Sequence, residues 1–197
     1  MTEYTDTQAL AEVREVDPQD VSGSTIRVLV INESGFIREG LCRVIERFWR
    51  VEVVGGTCFA HDLIEIAEDL RVDVALIDSQ YPSQTGFHAA RSLHESGVEV
   101  RVVILSVNPS LADVRRAFQA GASGFLLRDA GISDLELALY AAAESEIFLC
   151  PTLIKRLHDA DGFLKDVNTY TRMPQNRDSI DDLLLEALRL GILHQDY

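Results

Sequence analysis

The chain has 197 residues, 47% of them apolar and 25% charged, a length and composition that allow a core of its own and exclude global disorder. Its 18 basic residues face 32 acids, a formal net charge of −14 that repels a phosphate backbone, so direct nucleic-acid binding by this chain is not expected. No apolar run approaches the roughly 20 residues a bilayer demands, and the opening MTEYTDTQALAEVREVDPQD is acidic where a signal peptide is basic, so a cytoplasmic protein with no membrane partner is expected.

Residues 1–25 carry six acids against one base, with Pro18 and Gly23, and read as an acidic flexible arm. From residue 26 to 150 the pattern alternates. Short β-branched runs at 26–31, 51–54, 73–77, 100–105 and 124–127 read as strands. Stretches of helical period lie between them, near 36–48, 60–70, 85–95, 111–120 and 132–143. Phe36, Ile37, Leu41, Val44, Ile45 and Phe48 fall on one helical face, as do Leu63, Ile64, Ala67 and Leu70. Gly55-Gly56 follows a strand without a phosphate-binding pattern and reads as a turn; Phe48 and Trp49 read as packing residues. Cys42, Cys58 and Cys150 have no metal-like or disulfide-like spacing and read as buried free thiols. The five histidines show no i,i+4 pairing.

Five strands alternating with five helices predict an α/β, doubly wound domain over 26–150, a parallel sheet covered on both faces because each crossover lays an apolar stripe on it. Residues 151–160, opened by Pro151, read as a linker helix with Leu153, Ile154 and Leu157 on one face. Residues 161–178 lack periodicity and read as a loop, after which Ser179 starts a short helix that Gly191 stops.

In such sheets chemistry collects beyond the carboxyl ends of the strands. Those ends carry Asn32 and Glu33 after the first strand, Asp78 at the third, Ser106 at the fourth, and Arg128 with Asp129 at the fifth. Carboxylates, an amide, a hydroxyl and a guanidinium on one rim form a set suited to a hard cation and an oxyanion.

The segments IRVLVINESGFIREGL, DVALIDSQYPSQTGFHAARSL, VRVVILSVN and RRAFQAGASGFLLRDAGISDLELAL together resemble the receiver domain of two-component response regulators, over residues 26 to about 158. The likeness is to the branch that carries a LuxR-type helix-turn-helix output. It implies a flavodoxin-like five-stranded parallel sheet of order 2-1-3-4-5, with a short helical extension after it. It also implies that Asp78 is the phospho-acceptor, that Ser106 and Phe125 are switch residues, and that Glu33, Asp78 and the Gln80 carbonyl are the Mg²⁺ ligands.

Three positions depart from the family pattern. An acidic pair is represented by Asn32 and Glu33, which removes one charge from a site where Mg²⁺ wants tight octahedral geometry, so weak Mg²⁺ binding at most is expected. A lysine is replaced by Arg128, whose wide planar guanidinium is no copy of a compact ammonium; the chain's lysines, Lys155 and Lys165, lie far downstream. Tyr81-Pro82-Ser83 places a bulky ring after the acceptor. Arg128 is therefore expected to lie against the Asp78 carboxylate through two parallel hydrogen bonds, with Glu33 as a further partner.

Past residue 160 the chain has seven acids against four bases, and SIDDLLLEALRLG resembles at most the first helix of an output, so no complete helix-turn-helix is expected. The expected function is an atypical response regulator in phosphorelay signalling, working through contacts with a sensor histidine kinase or another regulator, with a homodimer as an option and residual phosphorylation on Asp78 as a variant. The alternative is a helix-turn-helix transcriptional regulator with a truncated or missing output. A phosphohydrolase with an aspartyl nucleophile is set aside because Ser79 and Gln80 follow Asp78 where such enzymes carry a second acid two residues on, so no enzyme is expected.

Overall fold

A computed structural model describes residues 24–58, 62–79, 85–150, 152–153 and 172–174. The elements run β1 (Ile26–Ile31), α1 (Gly35–Ile45), β2 (Val51–Thr57), α2 (Leu63–Asp69), β3 (Val74–Asp78), α3 (Thr85–Ser96), β4 (Arg101–Ser106), α4 (Leu111–Gln119), β5 (Gly124–Leu127), α5 (Ile132–Ala143), β6 (Glu146–Leu149) and β7 (Arg172–Pro174). They build one sheet of order β2-β1-β3-β4-β5-β6-β7. The first six strands pair in parallel and β7 is antiparallel to β6.

The five expected strands take the expected order, and the fold class is the flavodoxin-like α/β one. The sheet is larger than the five strands read from the sequence. β6 follows α5 after two residues, Glu144 and Ser145, and Ser145 takes a left-handed backbone (φ 60°) to reverse the chain. Its hydroxyl accepts a hydrogen bond from Arg101 at 2.8 Å, tying the turn to β4. β7 lies within the stretch 161–178, expected to be a loop. The acidic arm apart from Ser24 and Thr25, the linker helix apart from the helical Thr152 and Leu153, and the helix from Ser179 lie outside the described residues.

Central strands β1, β3 and β4 are buried on both faces, which is why they read as continuous apolar runs. Val28 to Ile31, Val74 to Ile77 and Val102 to Leu105 form the middle of the core, each valine, leucine and isoleucine side chain contributing about 1.5–3 kcal/mol by its burial. On one face α2 packs on α3 and α3 on α4. On the other, α5 meets the loop after α1, where the Tyr140 hydroxyl donates to the Trp49 carbonyl.

Local expectations change in four places. Gly55 and Gly56 are not a turn but part of β2, where the β1 register slips between Val28 and Leu29. A side chain at Gly55 would press on Leu29 and Leu70 at 3.2 Å, so glycine there lets neighbours close in. Phe36 does not join the buried face of α1 but stands 90% exposed, and Trp49 is exposed with the Arg50 guanidinium 5.2 Å over its ring, while Phe48 is buried. The cysteines are free, but Cys42 and Cys58 are half-buried and Cys150 alone of the three is buried. Among the described residues no helix is long and apolar enough to cross a membrane.

Candidate functional site

The parallel register brings the polar strand ends to one rim. Ile31 lies beside Ile77, so the next residues, Asn32 and Asp78, become neighbours. Asp78 lies beside Leu105 and Ser106 beside Leu127, which sets Ser106 and Arg128 next in line. The Arg128 amide donates to the Ser106 carbonyl at 2.7 Å and the Ser79 amide to Leu105 at 2.8 Å, fastening the three strand ends together.

Asp78, 5% exposed, is the hub. The Asn32 Nδ2 donates to its Oδ2 at 2.6 Å. Asn32 is itself oriented, since its Oδ1 accepts the Ser34 amide at 2.9 Å and its carbonyl accepts Arg38 Nη1 at 2.6 Å. With the oxygen engaged by Ser34, the nitrogen must be the atom facing the carboxylate, because a flipped amide would set oxygen against oxygen. From the far side, Arg128 Nη2 donates to the same Oδ2 in a charge-assisted pair.

Arg128 thus lies against Asp78, but the two parallel bonds read from the sequence are not the arrangement found: one oxygen takes both donors, and Arg128 Nε is buried without a partner. Asn32 reaches Oδ2 from the β1 side and Arg128 from the β5 side. Glu33 is exposed, as is Asp129. Ser106 is buried at the end of β4, and Phe125 is wholly buried in β5 beside Ile104. Gln80 and Tyr81-Pro82-Ser83 lie outside the described residues.

Two contributors carried little sequence signal. Arg38, in the first turns of α1, shares the rim by holding the Asn32 carbonyl while its methylenes cover Gly56, where a Cβ would stand 3.3 Å from them. Gly86, visible in the sequence as a glycine beyond Asp78, is required by contact: a Cβ there would lie 2.4 Å from the Asp78 carbonyl oxygen. On α1, burial, then Glu39 and Glu46, push the Cys42 thiol pKa up, which lowers its thiolate fraction.

A hard cation needs carboxylate lone pairs turned toward it, with few N–H groups competing. Here two N–H donors converge on Asp78 Oδ2, and the amide oxygen of Asn32 is engaged by Ser34. Among the described residues no three His, Cys, Asp or Glu side chains gather as a ligand set. Among the described residues, the donors around Asp78 do not fit Mg²⁺; the Gln80 carbonyl lies outside them.

Residues 28–140 match the model of the response regulator receiver domain. The nitrate/nitrite response regulator NarL of Escherichia coli K12 is 33% identical over 126 residues, 64% of this chain and 58% of that protein. A probable transcriptional regulatory protein NarL of Mycobacterium tuberculosis is 30% identical over 129 residues, 66% of this chain and 60% of the relative. The chain therefore spans less than two thirds of these relatives. A crystal structure of a LuxR-family two-component response regulator from Aurantimonas sp. SI85-9A1 superposes with a TM-score of 0.65 at 24% identity, covering 71% of this chain and all of the other. That last likeness speaks for the fold.

Proposed function

This chain belongs to the response regulator receiver family of two-component signalling, and we propose that it is an atypical member whose phospho-acceptor site is held shut by its own Asn32 and Arg128. Receiver domains commonly bind Mg²⁺ at the phosphorylation site. In this reading the cation's work of neutralising Asp78 is taken over by a guanidinium and an amide, and Arg128 fills the space an incoming phosphoryl group would need. Phosphorylation of Asp78 is then slow at best, and Ser106 and Phe125, the switch positions, stay in one arrangement.

The carrying observation is the convergence of both donors on Asp78 Oδ2. The protein acts as a regulator rather than an enzyme, in the cytoplasm, through contacts with a sensor histidine kinase or another regulator, with self-association as a further mode. The receiver unit is 26–150, preceded by the acidic arm and followed by the linker helix 151–160, the strand β7 that joins its sheet, and a C-terminal helix. A role in transcription is a second reading, favoured by the transcriptional relative.

Calorimetric titration with Mg²⁺ tests the closed site. The parent should give no saturable heat at millimolar metal, whereas Asn32→Asp, which replaces an N–H donor with a carboxylate, should bind measurably. Saturable, tight binding to the parent would overturn the reading.

A further inference from the structure

Gly40 stands in the middle of α1, where glycine weakens a helix more than any residue but proline. Elsewhere glycines answer a need of the fold. Gly55, Gly56, Gly86 and Gly124 have neighbours that a Cβ would press on, and Gly97 and Gly121 take left-handed backbone. Among the described glycines Gly40 alone has neither reason: it is exposed, its φ is not positive, and a Cβ there would meet no heavy atom within 4 Å outside its own helix.

One turn earlier, Phe36 is 90% exposed, more than any other large apolar residue described. Phe36, Gly40 and Arg43, with Arg47 in the turn after α1, follow a spacing of i, i+4, i+7 and i+11 and form one outward stripe. A ring therefore lies beside a gap. The charges at the two ends of the stripe have opposite sign, with the exposed Glu33 before the helix and Arg43 and Arg47 at its close.

Such a stripe is complementary to itself. When two copies lie antiparallel about a two-fold axis at Gly40, residues equally far before and after Gly40 face each other. Glu33 then meets Arg47 of the second copy. Phe36 lies opposite position 44, over the hollow that Gly40 leaves between Arg43 and Arg47, where a guanidinium can stack on the ring. Arg43 also pairs with Glu39 and Glu46 on its own helix, but those pairs are open to water and are exchanged at little cost.

We propose that the outer face of α1 is a self-association surface, on which a second copy of this chain packs antiparallel with the two Gly40 backbones in close approach. The occupant is a second copy because the charges are balanced about Gly40 itself, a symmetry that only like-for-like pairing requires. This surface rests on the self-association proposed above and not on the closure of Asp78. One short helix face falls below the roughly 1,200 Å² of a standard interface, so the dimer is weak and grows with concentration.

Sedimentation equilibrium of the full chain, from micromolar to millimolar concentration, reads the association. The parent should dimerise within that range. Gly40→Gln fills the hollow with a good helix former, so it should weaken the dimer at least about tenfold and yet raise the thermal unfolding midpoint of the dilute protein. A glycine needed by the monomer would lower that midpoint instead. Phe36→Ser should weaken the dimer to a similar degree, whereas Leu137→Ser, at an exposed apolar position of α5, should not. Glu33→Arg and Arg47→Glu should each loosen the dimer, and the two combined should restore it. A monomeric parent would overturn both this surface and self-association itself. A parent dimer left intact by Gly40→Gln and Phe36→Ser, or a double charge variant no tighter than the single ones, would overturn this surface while self-association stands.

Discussion

The strands β1 and β3 enter the sheet with one arginine–carboxylate arrangement and leave it beside another. At the entering end, Arg27 on β1 donates its amide to Asp73 Oδ2 (2.7 Å) and its Nε to the Leu70 carbonyl (3.0 Å), and pairs with Glu52 at 2.7 Å. That ion pair is open to water, with side-chain exposures of 36% and 53%. At the leaving end, Arg128 is 31% exposed but its partner Asp78 only 6%. The chemistry is alike, and the surroundings separate the two. In water the ions are solvated with or without each other, so the Arg27 pair adds little. A carboxylate shut into the rim has no such alternative and depends on its donors.

Removing the partner at each end should expose this contrast. Arg128→Ala should cost about 2–3 kcal/mol in urea unfolding, since it strands a buried charge with Asn32 as a remaining donor. Adding Asp78→Asn to that variant should recover most of the loss, because the charge that needed a partner is gone. A loss below about 0.5 kcal/mol for Arg128→Ala would place both ends in the same exposed class.

Arg27→Ala should cost less, about 0.5–1 kcal/mol, and half a molar salt should shrink the ion-pair part of it. Unfolding midpoints at two salt concentrations check this. The smallest effect concerns Tyr140, whose pKa is raised first by burial and then by its hydrogen bond with Glu136. A raised folded pKa means that the native state favours the protonated hydroxyl, the form that donates to Trp49. Its contribution is complete below the ordinary tyrosine value near 10, fades as pH rises through the folded value, and is absent in Tyr140→Phe. The difference between parent and Tyr140→Phe in unfolding midpoint, followed from pH 8 to about 11, should therefore narrow at the alkaline end.

Much of the fold was legible because doubly buried strands and one-sided helices leave different periods in the sequence. IRVLVI at 26–31 and DVALI at 73–77 read as strands since the strands there, β1 and β3, are buried on both faces. β6 escaped notice because EIFL is short and follows α5 after two residues, with the reversal carried by Ser145 rather than by a glycine or proline. Gly55-Gly56 misled for a related reason: glycine marks both turns and close approaches within strands, and the contacts with Leu29 and Arg38 that distinguish these are long-range. Phe36 has the helical spacing of a core residue, yet α1 begins at Gly35, beyond the end of the sheet it would need to cover. At the rim, residue types at strand ends gave the neighbourhood of Asn32, Asp78, Ser106 and Arg128. They could not give which carboxylate oxygen is shared, since that depends on Ser34 and Arg38 orienting Asn32 from α1 and its N-cap.

The closed acceptor is tested most directly by intact-mass analysis after incubation with acetyl phosphate and Mg²⁺, comparing the parent with Arg128→Lys. Lysine restores a compact ammonium and vacates the space beside Asp78 that the guanidinium fills. The expected result is an added phosphoryl mass on Arg128→Lys, lost again when Asp78→Asn is combined with it, and no added mass on the parent. Equal phosphorylation of the parent and Arg128→Lys would contradict the closed site and make this chain an ordinary phosphotransfer receiver.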